Sequence, residues 1–378
     1  MPLISLKQEL PSAVLITKQN QLDEFVESCK NCKVLALDTE FVRTRSYYAK
    51  LGLIQVFDGN TLALIDPITE LNLTDFWSLL VDESIIKLLH SASEDLEIFA
   101  HYGKVQPVPY FDSQIAASLI GMGHGLGYAK LIETCLGITL DKGESRTDWI
   151  KRPLSDKQLH YAANDVFYLY HVFSYLETRL REINRLEWLY EEGEFLCKGR
   201  LEEIDYENAY LKVKNGFQLQ RMQLAYLKPL ATWRLKTAVK RDLALGFVVK
   251  DHALIAISKR APQNLSDLSN IRELLDSEKR KHGHAIVECM INADIEQLPQ
   301  AIDVIAFRPD YKSCFKLIKA ALSQISEDHN IPMEFIGSKR YIHQYLNWLW
   351  SDKKHEKPRV LTGWRQEVIE PRLSQIQF

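Results

Sequence analysis

Short apolar runs separated by turn sequences dominate the first 65 residues of the chain. An apolar run at Val34–Leu37 predicts a buried strand, and it leads directly into Asp38-Thr39-Glu40. Two further strand-like runs, Leu51–Phe57 and Thr61–Ile65, flank Asp58-Gly59-Asn60, a turn sequence typical of a hairpin. This part of the chain therefore predicts neighbouring strands of one sheet.

Helical patterns alternate with strand-like patterns up to about residue 180. Ile85–Leu89 is apolar and predicts another buried strand. Ser155 precedes the longest helical pattern and is a suitable N-cap. The predicted helices are Leu71–Leu80, Ser93–Tyr102, Gln114–Ile120 and Leu154–Leu180. A hairpin followed by alternating strands and helices predicts an α/β domain with a mixed sheet and flanking helices.

Strand patterns nearly disappear after residue 215. Apolar residues recur at helical spacing instead, and the predicted helices are Leu219–Lys240, Asp251–Lys259, Leu265–Leu275, Lys312–Ser326 and 338–350. We therefore predict three domains: an α/β domain at 1–212 and two small all-α domains at 213–292 and 293–378.

Composition excludes several classes of protein. The chain has 378 residues, of which 46% are hydrophobic and 26% charged, and this is ordinary for globular domains. No apolar run is long enough to cross a bilayer, and the N-terminus lacks the pattern of a signal peptide. Six scattered cysteines fit a reducing compartment. We expect a cytoplasmic protein with no membrane association.

Charge is distributed unevenly along the chain. The net charge of −3 divides into −8 for residues 1–200 and +5 for the remainder. A basic rear half indicates an appendage that binds a polyanion, although ordinary charge scatter would give the same numbers.

Asp38 and Glu40 lie two residues apart at the end of a predicted strand. Strand side chains alternate between faces, so both carboxylates point the same way and repel each other unless a cation lies between them. Oxygen ligands favour Mg²⁺ or Mn²⁺. Taken alone, this common pattern is more typical of a solvated acidic turn.

Two later acidic positions complete a possible metal site. Asp95 begins a predicted helix after a buried strand, where a carboxylate also interacts favourably with the helix dipole. Tyr161 and Asp165 are four apart on the longest predicted helix and therefore share one face. A phenol beside a carboxylate can orient a water molecule while the carboxylate holds a metal.

The order of these motifs resembles the DEDD exonuclease family, in its subgroup with a tyrosine in the third motif. The short sequence motifs around these residues resemble those of the ribonuclease D family within it. They are Asp38-Thr-Glu-Phe41, Leu51-Gly-Leu-Ile-Gln55, Ser93-Glu-Asp-Leu-Glu97, Phe111-Asp-Ser-Gln114, Thr147-Asp-Trp-Ile-Lys-Arg-Pro-Leu-Ser155 and Tyr161-Ala-Ala-Asn-Asp165.

The rear half resembles the helicase-and-RNase-D C-terminal (HRDC) module, a small helical bundle that commonly helps bind nucleic acid. Ala231-Thr-Trp-Arg234 and Val248-Val-Lys-Asp251 carry this resemblance in the first helical domain. The second is more diverged and is similar mainly through its position and its ending, Leu361-Thr-Gly-Trp-Arg365.

The resemblance implies a ribonuclease H-like exonuclease domain followed by two HRDC-like domains. It also implies that two divalent ions, Mg²⁺ or Mn²⁺, are held by Asp38, Glu40, Asp95 and Asp165, and that Tyr161 positions the attacking water. The implied activity is 3′→5′ hydrolysis of RNA with release of nucleoside 5′-monophosphates. RNA with a free 3′ end, such as a tRNA precursor, is the expected partner, and we expect a monomer.

Two further residues are candidates for substrate binding. Phe41 follows the acidic pair and can stack on a terminal base, or it belongs to the core. Gln55 can contact the terminal nucleotide, or it faces solvent on its strand. Two other functions stay open at this point: a DNA 3′→5′ exonuclease of the proofreading type, and a nucleic-acid-binding protein without activity.

Overall fold

A mixed sheet organises the first part of the computed structural model, which describes residues 2–141, 143–302, 304–351, 353–354 and 356–376. Its strands are β1 (Val14–Ile16), β2 (Val34–Val42), β3 (Lys50–Phe57), β4 (Leu62–Ile65), β5 (Ile86–Leu89) and β6 (Tyr110–Asp112). Most of their residues are buried, because apolar side chains occupy both faces of the inner strands.

The strand order places β2 in the interior of the sheet. The order is β1-β4-β3-β2-β5-β6. Strands β3 and β4 pair antiparallel with Gln55 opposite Leu64, and β2 pairs parallel with β5. Strand β1 is parallel to β4, and β6 is parallel to β5. The predicted α/β domain with a mixed sheet is confirmed.

Helices flank this sheet. They are α1 (Gln19–Cys29), α2 (Thr74–Leu80), α3 (Ser93–Ile98), α4 (Ser113–Leu119), α5 (Tyr128–Leu136), α6 (Asp156–Glu182) and α7 (Leu186–Cys197). A π-helical turn over Phe99–Gly103 continues α3. Ser155 caps α6 as predicted: its hydroxyl accepts from the Gln158 N–H at 3.2 Å, and the Gln158 side chain accepts from the Ser155 N–H at 3.0 Å.

The chain divides into two compact units. The first contains Met1–Val42, Leu51–Leu201 and Arg308–Phe378, and the second contains Arg43–Lys50 and Glu202–Phe307. The second unit is helical, with α8 (Arg221–Arg241), α9 (Leu245–Val248), α10 (Asp251–Arg260), α11 (Leu265–Ser269) and α12 (Asp276–Ile291). Leucine, isoleucine, valine and alanine side chains from these helices form its core.

The C-terminal helices belong to the first unit. They are α13 (Tyr311–His329), α14 (Met333–Gly337), α15 (Lys339–Trp350) and α16 (Trp364–Leu373). Buried Glu192 of α7 accepts hydrogen bonds from Arg359, Trp364 and Arg365 and so joins them to the helices that flank the sheet. The predicted domain boundaries at 212 and 292 stay predictions.

No helix in the described part of the chain is long and apolar enough to span a membrane.

Several elements differ from the sequence-based expectation. Strand β2 continues to Val42, so Asp38 and Glu40 lie inside the strand and not at its end. Its paired register with β5 ends at Ala36, and strand β3, which is longer than β5, is its neighbour on the other side. The predicted helix Leu265–Leu275 is wrong beyond Ser269, where α11 ends. Helix α12 was not predicted, since its first half is polar and its apolar residues are confined to the second half.

Candidate active site

Three carboxylates from two elements meet at the middle of the sheet. Asp38 and Glu40 alternate with Thr39 along β2, and helix α6, which packs against β2, supplies Asp165. Carboxylate oxygens of the three residues all lie within 4.8 Å of one another. Glu40 and Asp165 are 125 positions apart in the chain, and together with Asp38 they form one compact group of oxygen ligands.

Asp95 joins this group through Thr39. It lies in the first turn of α3, which follows β5, and β5 is the neighbour of β2 in the sheet. The Thr39 hydroxyl donates a hydrogen bond to the Asp95 carboxylate, and both side chains are buried. The charge of Asp95 acts on Asp38 and on Glu40. All four predicted acids therefore belong to one electrostatic group.

Burial raises the pKa of every one of these carboxyl groups. The pKa of Asp95 rises to about 6, that of Asp165 to about 8 and that of Glu40 to about 9, with burial as the largest cause in each case. Burial, followed by the charges of Asp95, Asp165 and Glu40, holds the pKa of Asp38 well above its usual range. A bound cation would strongly stabilise the ionised form of these four acids.

The ligand set fits a divalent metal. The donors are carboxylate oxygens, which Mg²⁺ and Mn²⁺ prefer, and those of Asp38, Glu40 and Asp165 converge within 4.8 Å. The charges that act on Asp38 and Glu40 are those of the neighbouring acids. A largely desolvated cluster of like charges is unfavourable, and metal binding would remove this penalty.

Tyr161 lies one turn before Asp165 on α6. Its phenol interacts electrostatically with the Asp165 carboxylate. Burial, and then the charges of Asp165, Glu40 and Asp38, raise the pKa of the Tyr161 phenol, which keeps it protonated. The phenol is thus a neutral hydrogen-bonding group at the edge of the carboxylate cluster.

The two candidate substrate-binding residues have different environments. Phe41 is half-buried and directly follows Glu40 in β2. Gln55 of β3 is 0% exposed, so the expectation that it faces solvent is wrong. Neither side-chain polar atom of Gln55 has a hydrogen-bond partner among the described residues. A contact of either residue with RNA stays a prediction.

Sequence reasoning missed two residues that position the site. Asp112 accepts hydrogen bonds from the N–H groups of Ser91 and Ala92, immediately before the helix that carries Asp95. Tyr128 donates to the carbonyl of Asn164, the neighbour of Asp165, at 2.9 Å. In the sequence, Asp112 is marked only by its place in the motif Phe111-Asp-Ser-Gln114, and Tyr128 follows the glycine-rich segment Gly121–Gly127, which carries no signal of this contact.

Family models match three parts of the chain. A 3′-5′ exonuclease model matches residues 13–181, an HRDC domain model matches 223–290, and a model described as the ribonuclease D C-terminal HRDC domain matches 309–373. The predicted succession of an exonuclease domain and two HRDC-like domains is confirmed.

Whole-chain comparisons agree with these matches. Ribonuclease D from Shewanella sp. strain ANA-3 is 56% identical over 98% of this chain and 96% of its own length. Ribonuclease D from Escherichia coli K12 is 40% identical over 94% of this chain and 96% of its own. The crystal structure of Escherichia coli RNase D, described as an exoribonuclease involved in structured RNA processing, superposes with a TM-score of 0.91. That superposition has 38% identity and covers 96% of this chain and 98% of the other.

Identity at this level over nearly the full length, together with the exonuclease and HRDC models, settles the family. The chain therefore belongs to the ribonuclease D family of 3′→5′ exoribonucleases.

Proposed function

We propose that Asp38, Glu40, Asp95 and Asp165 hold two divalent ions, Mg²⁺ or Mn²⁺, and that this site removes nucleotides from RNA 3′ ends. The observation that carries the proposal is the convergence of carboxylate oxygens from β2 and α6 within 4.8 Å, with Asp95 coupled to them. When bound, such ions would lower the pKa of a water molecule and neutralise charge on the reacting phosphate.

The reaction is hydrolysis of the terminal phosphodiester bond. A water molecule gives up a proton and its oxygen bonds to phosphorus, the bond to the 3′ oxygen of the preceding nucleotide breaks, and that oxygen takes up a proton. The products are a nucleoside 5′-monophosphate and an RNA shortened by one nucleotide. Tyr161, beside Asp165, orients the water, because its neutral phenol can accept or donate a hydrogen bond.

RNA with a free 3′ end is the proposed substrate class, and tRNA precursors with 3′ trailers are its expected members. Phe41, beside Glu40, stacks on the terminal base, and Gln55 contacts the terminal nucleotide. The six cysteines are free thiols, which fits the reducing cytoplasm. The protein acts there as a monomer, since one chain supplies all the proposed ligands.

A time course on a 5′-labelled tRNA precursor with a short 3′ extension tests this function. In Mg²⁺ we expect a ladder that shortens from the 3′ end, and EDTA should abolish it. A circular RNA of the same sequence should stay intact, because it offers no 3′ end. Asp95→Asn should be inactive, whereas Glu94→Gln should retain activity, because the neighbouring Glu94 is exposed and outside the cluster.

Two outcomes would contradict the proposal. Equal activity of Asp95→Asn and the unmodified protein would remove Asp95 from the ligand set. Faster degradation of a DNA strand than of an RNA strand of identical sequence would favour a DNA exonuclease, and binding of RNA without shortening in Mn²⁺ would favour a non-catalytic role.

A further inference from the structure

Arg152, in the loop before α6, uses every donor of its guanidinium group. It forms a bidentate ion pair with Asp66, with Nε and Nη2 at 2.6 and 2.8 Å from the two carboxylate oxygens. The remaining N–H groups donate to three backbone carbonyls: Gly52 at 2.6 Å, Trp149 at 2.8 Å and Lys151 at 3.0 Å. This full complement of five bonds fixes the loop to the ends of β3 and β4.

The ion pair between Arg152 and Asp66, called the clamp below, holds the loop so that Trp149 lies against the sheet. Trp149 is 1% exposed, and it is among the largest fully buried side chains in the described ranges. A Cβ atom at Gly52 would lie 2.6 Å from the Trp149 carbonyl oxygen and 2.9 Å from its Cβ, so only glycine permits this approach. The bond from Arg152 to the carbonyl of Gly52 holds the same two segments together.

Trp149 in turn contacts the catalytic helix. Its ring centroid lies 6.2 Å from that of Tyr161, with the ring planes inclined by 43°. The first turn of α6 is tied to the same loop, because Gln158 donates to the Thr147 hydroxyl at 3.1 Å. The loop thus contacts the Tyr161 ring through Trp149 and the first turn of α6 through Thr147.

We propose that Arg152 and Asp66 are positioning residues that act on the reaction through Trp149 and Tyr161. The inference rests on the proposed role of Tyr161 in orienting the attacking water. Neither Arg152 nor Asp66 belongs to the carboxylate cluster, and a loosened clamp lets the Trp149 ring shift and the Tyr161 phenol with it. Small misplacements of a group that orients a reactant have large effects on rate.

A double-mutant cycle on kcat tests this. Arg152→Lys keeps the charge and loses the bidentate geometry, and we expect it to lower kcat about 10-fold or more with KM nearly unchanged. In the Tyr161→Phe background the same change should lower kcat by less than about twofold, because the group through which it acts is already gone. Mg²⁺ affinity, measured by calorimetry, should be the same with and without Arg152→Lys.

Asp66→Asn is the second variant, since it keeps the side-chain shape and weakens the same clamp. It should show the same coupling to Tyr161→Phe. Arg234→Lys is the matched control: it alters another buried arginine, which pairs with Asp251 at 2.6 Å in the second compact unit. This control should lower Tm without lowering kcat.

Three outcomes would overturn the proposal. Unchanged kcat in both Arg152→Lys and Asp66→Asn would remove the clamp from the reaction. An equal loss in the presence and absence of Tyr161→Phe would mean that the clamp only supports the fold, and the proposed function would stand. If Tyr161→Phe alone left kcat unchanged, the role of Tyr161 would fail, and the positioning role with it.

Discussion

The hydroxyl of Thr39 donates a hydrogen bond to the carboxylate of Asp95, 56 residues further along the chain. Thr39 lies between the acids Asp38 and Glu40, so one strand supplies two carboxylates and also holds a third. Hydrogen bonds from the side chain and backbone of Thr39 lower the pKa of Asp95, against the larger effect of burial. They therefore favour the ionised form, which binds metal.

Replacing Thr39 with valine should weaken metal binding. Valine preserves the shape but removes the donor, so the pKa of Asp95 rises and its carboxylate loses its fixed orientation. A hydrogen bond to a charged group contributes about 1.5–3 kcal/mol, so we expect roughly a 10- to 100-fold weaker Mg²⁺ affinity, measured by calorimetry. Thr39→Ser keeps the hydroxyl and should bind Mg²⁺ normally; equal losses in both variants would contradict this explanation.

Mg²⁺ affinity should increase as the pH rises from 6 to 9. The raised pKa values of Asp95, Asp165 and Glu40, about 6, 8 and 9, mean that protons occupy the metal-free site in this range and must leave when metal binds. For each proton released when Mg²⁺ binds, the Mg²⁺ affinity should rise by a factor of about ten per pH unit. Calorimetry in two buffers of different ionisation enthalpy counts these protons.

The metal-free protein provides the control for this effect. Because the folded-state pKa values exceed the unfolded ones, these carboxyl groups stabilise the fold at low pH, and that stability is lost as the pH rises. In EDTA we expect Tm to fall between pH 6 and pH 9, and less so in Asp165→Asn. A pH-independent Mg²⁺ affinity with no proton release would show that the acids are already ionised.

Glu192 should be essential for the stability of the first unit. Its side chain is 6% exposed and accepts from Arg359, Trp364 and Arg365, while Arg365 is 1% exposed and also stacks on the Trp364 ring. Glu192→Ala leaves two arginines without their counter-charge, which typically costs about 3–5 kcal/mol. Urea denaturation should show this loss, and the exposed Glu194→Ala should change stability by less than about 0.5 kcal/mol.

The second unit offers a surface on which to test whether the HRDC-like domain binds RNA. A cleft of about 680 Å³ is lined by three lysines of α8, Lys228, Lys236 and Lys240, and by the aromatic residues Tyr206 and Trp233. The lysines are exposed and lie four or eight residues apart, so they share one face of the helix. None of these three lysines forms an ion pair in the part of the chain that the structure describes. The Lys236 ammonium lies 5.6 Å from the centroid of the Tyr206 ring.

Replacing the three lysines with alanine should weaken binding of single-stranded RNA and make it less dependent on salt. Each lost phosphate contact lowers the slope of log affinity against log salt by about 0.7, so the slope should fall by about 2. Fluorescence anisotropy in an Asp95→Asn background measures binding without cleavage. Alanines at the exposed Lys259, Arg272 and Lys281 remove the same charge outside the cleft, and an equal effect there would indicate non-specific attraction.

The sequence by itself determined those parts of the site that lie within one element. The two-residue spacing of Asp38 and Glu40 and the four-residue spacing of Tyr161 and Asp165 define shared faces, because strand and helix periodicity is local. The Ser155 cap and the β3–β4 hairpin were predicted for the same reason, since their signals lie within a few neighbouring residues.

Only the tertiary structure decided which elements meet. The bond between Thr39 and Asp95, the clamp between Asp66 and Arg152, and the pairing of Glu192 with Arg365 join residues 56, 86 and 173 positions apart. No local sequence pattern, such as a periodicity or a turn sequence, predicts these contacts. They follow from sheet order and helix packing, in which many side chains act together, and so do the burial and the raised pKa values of the acids.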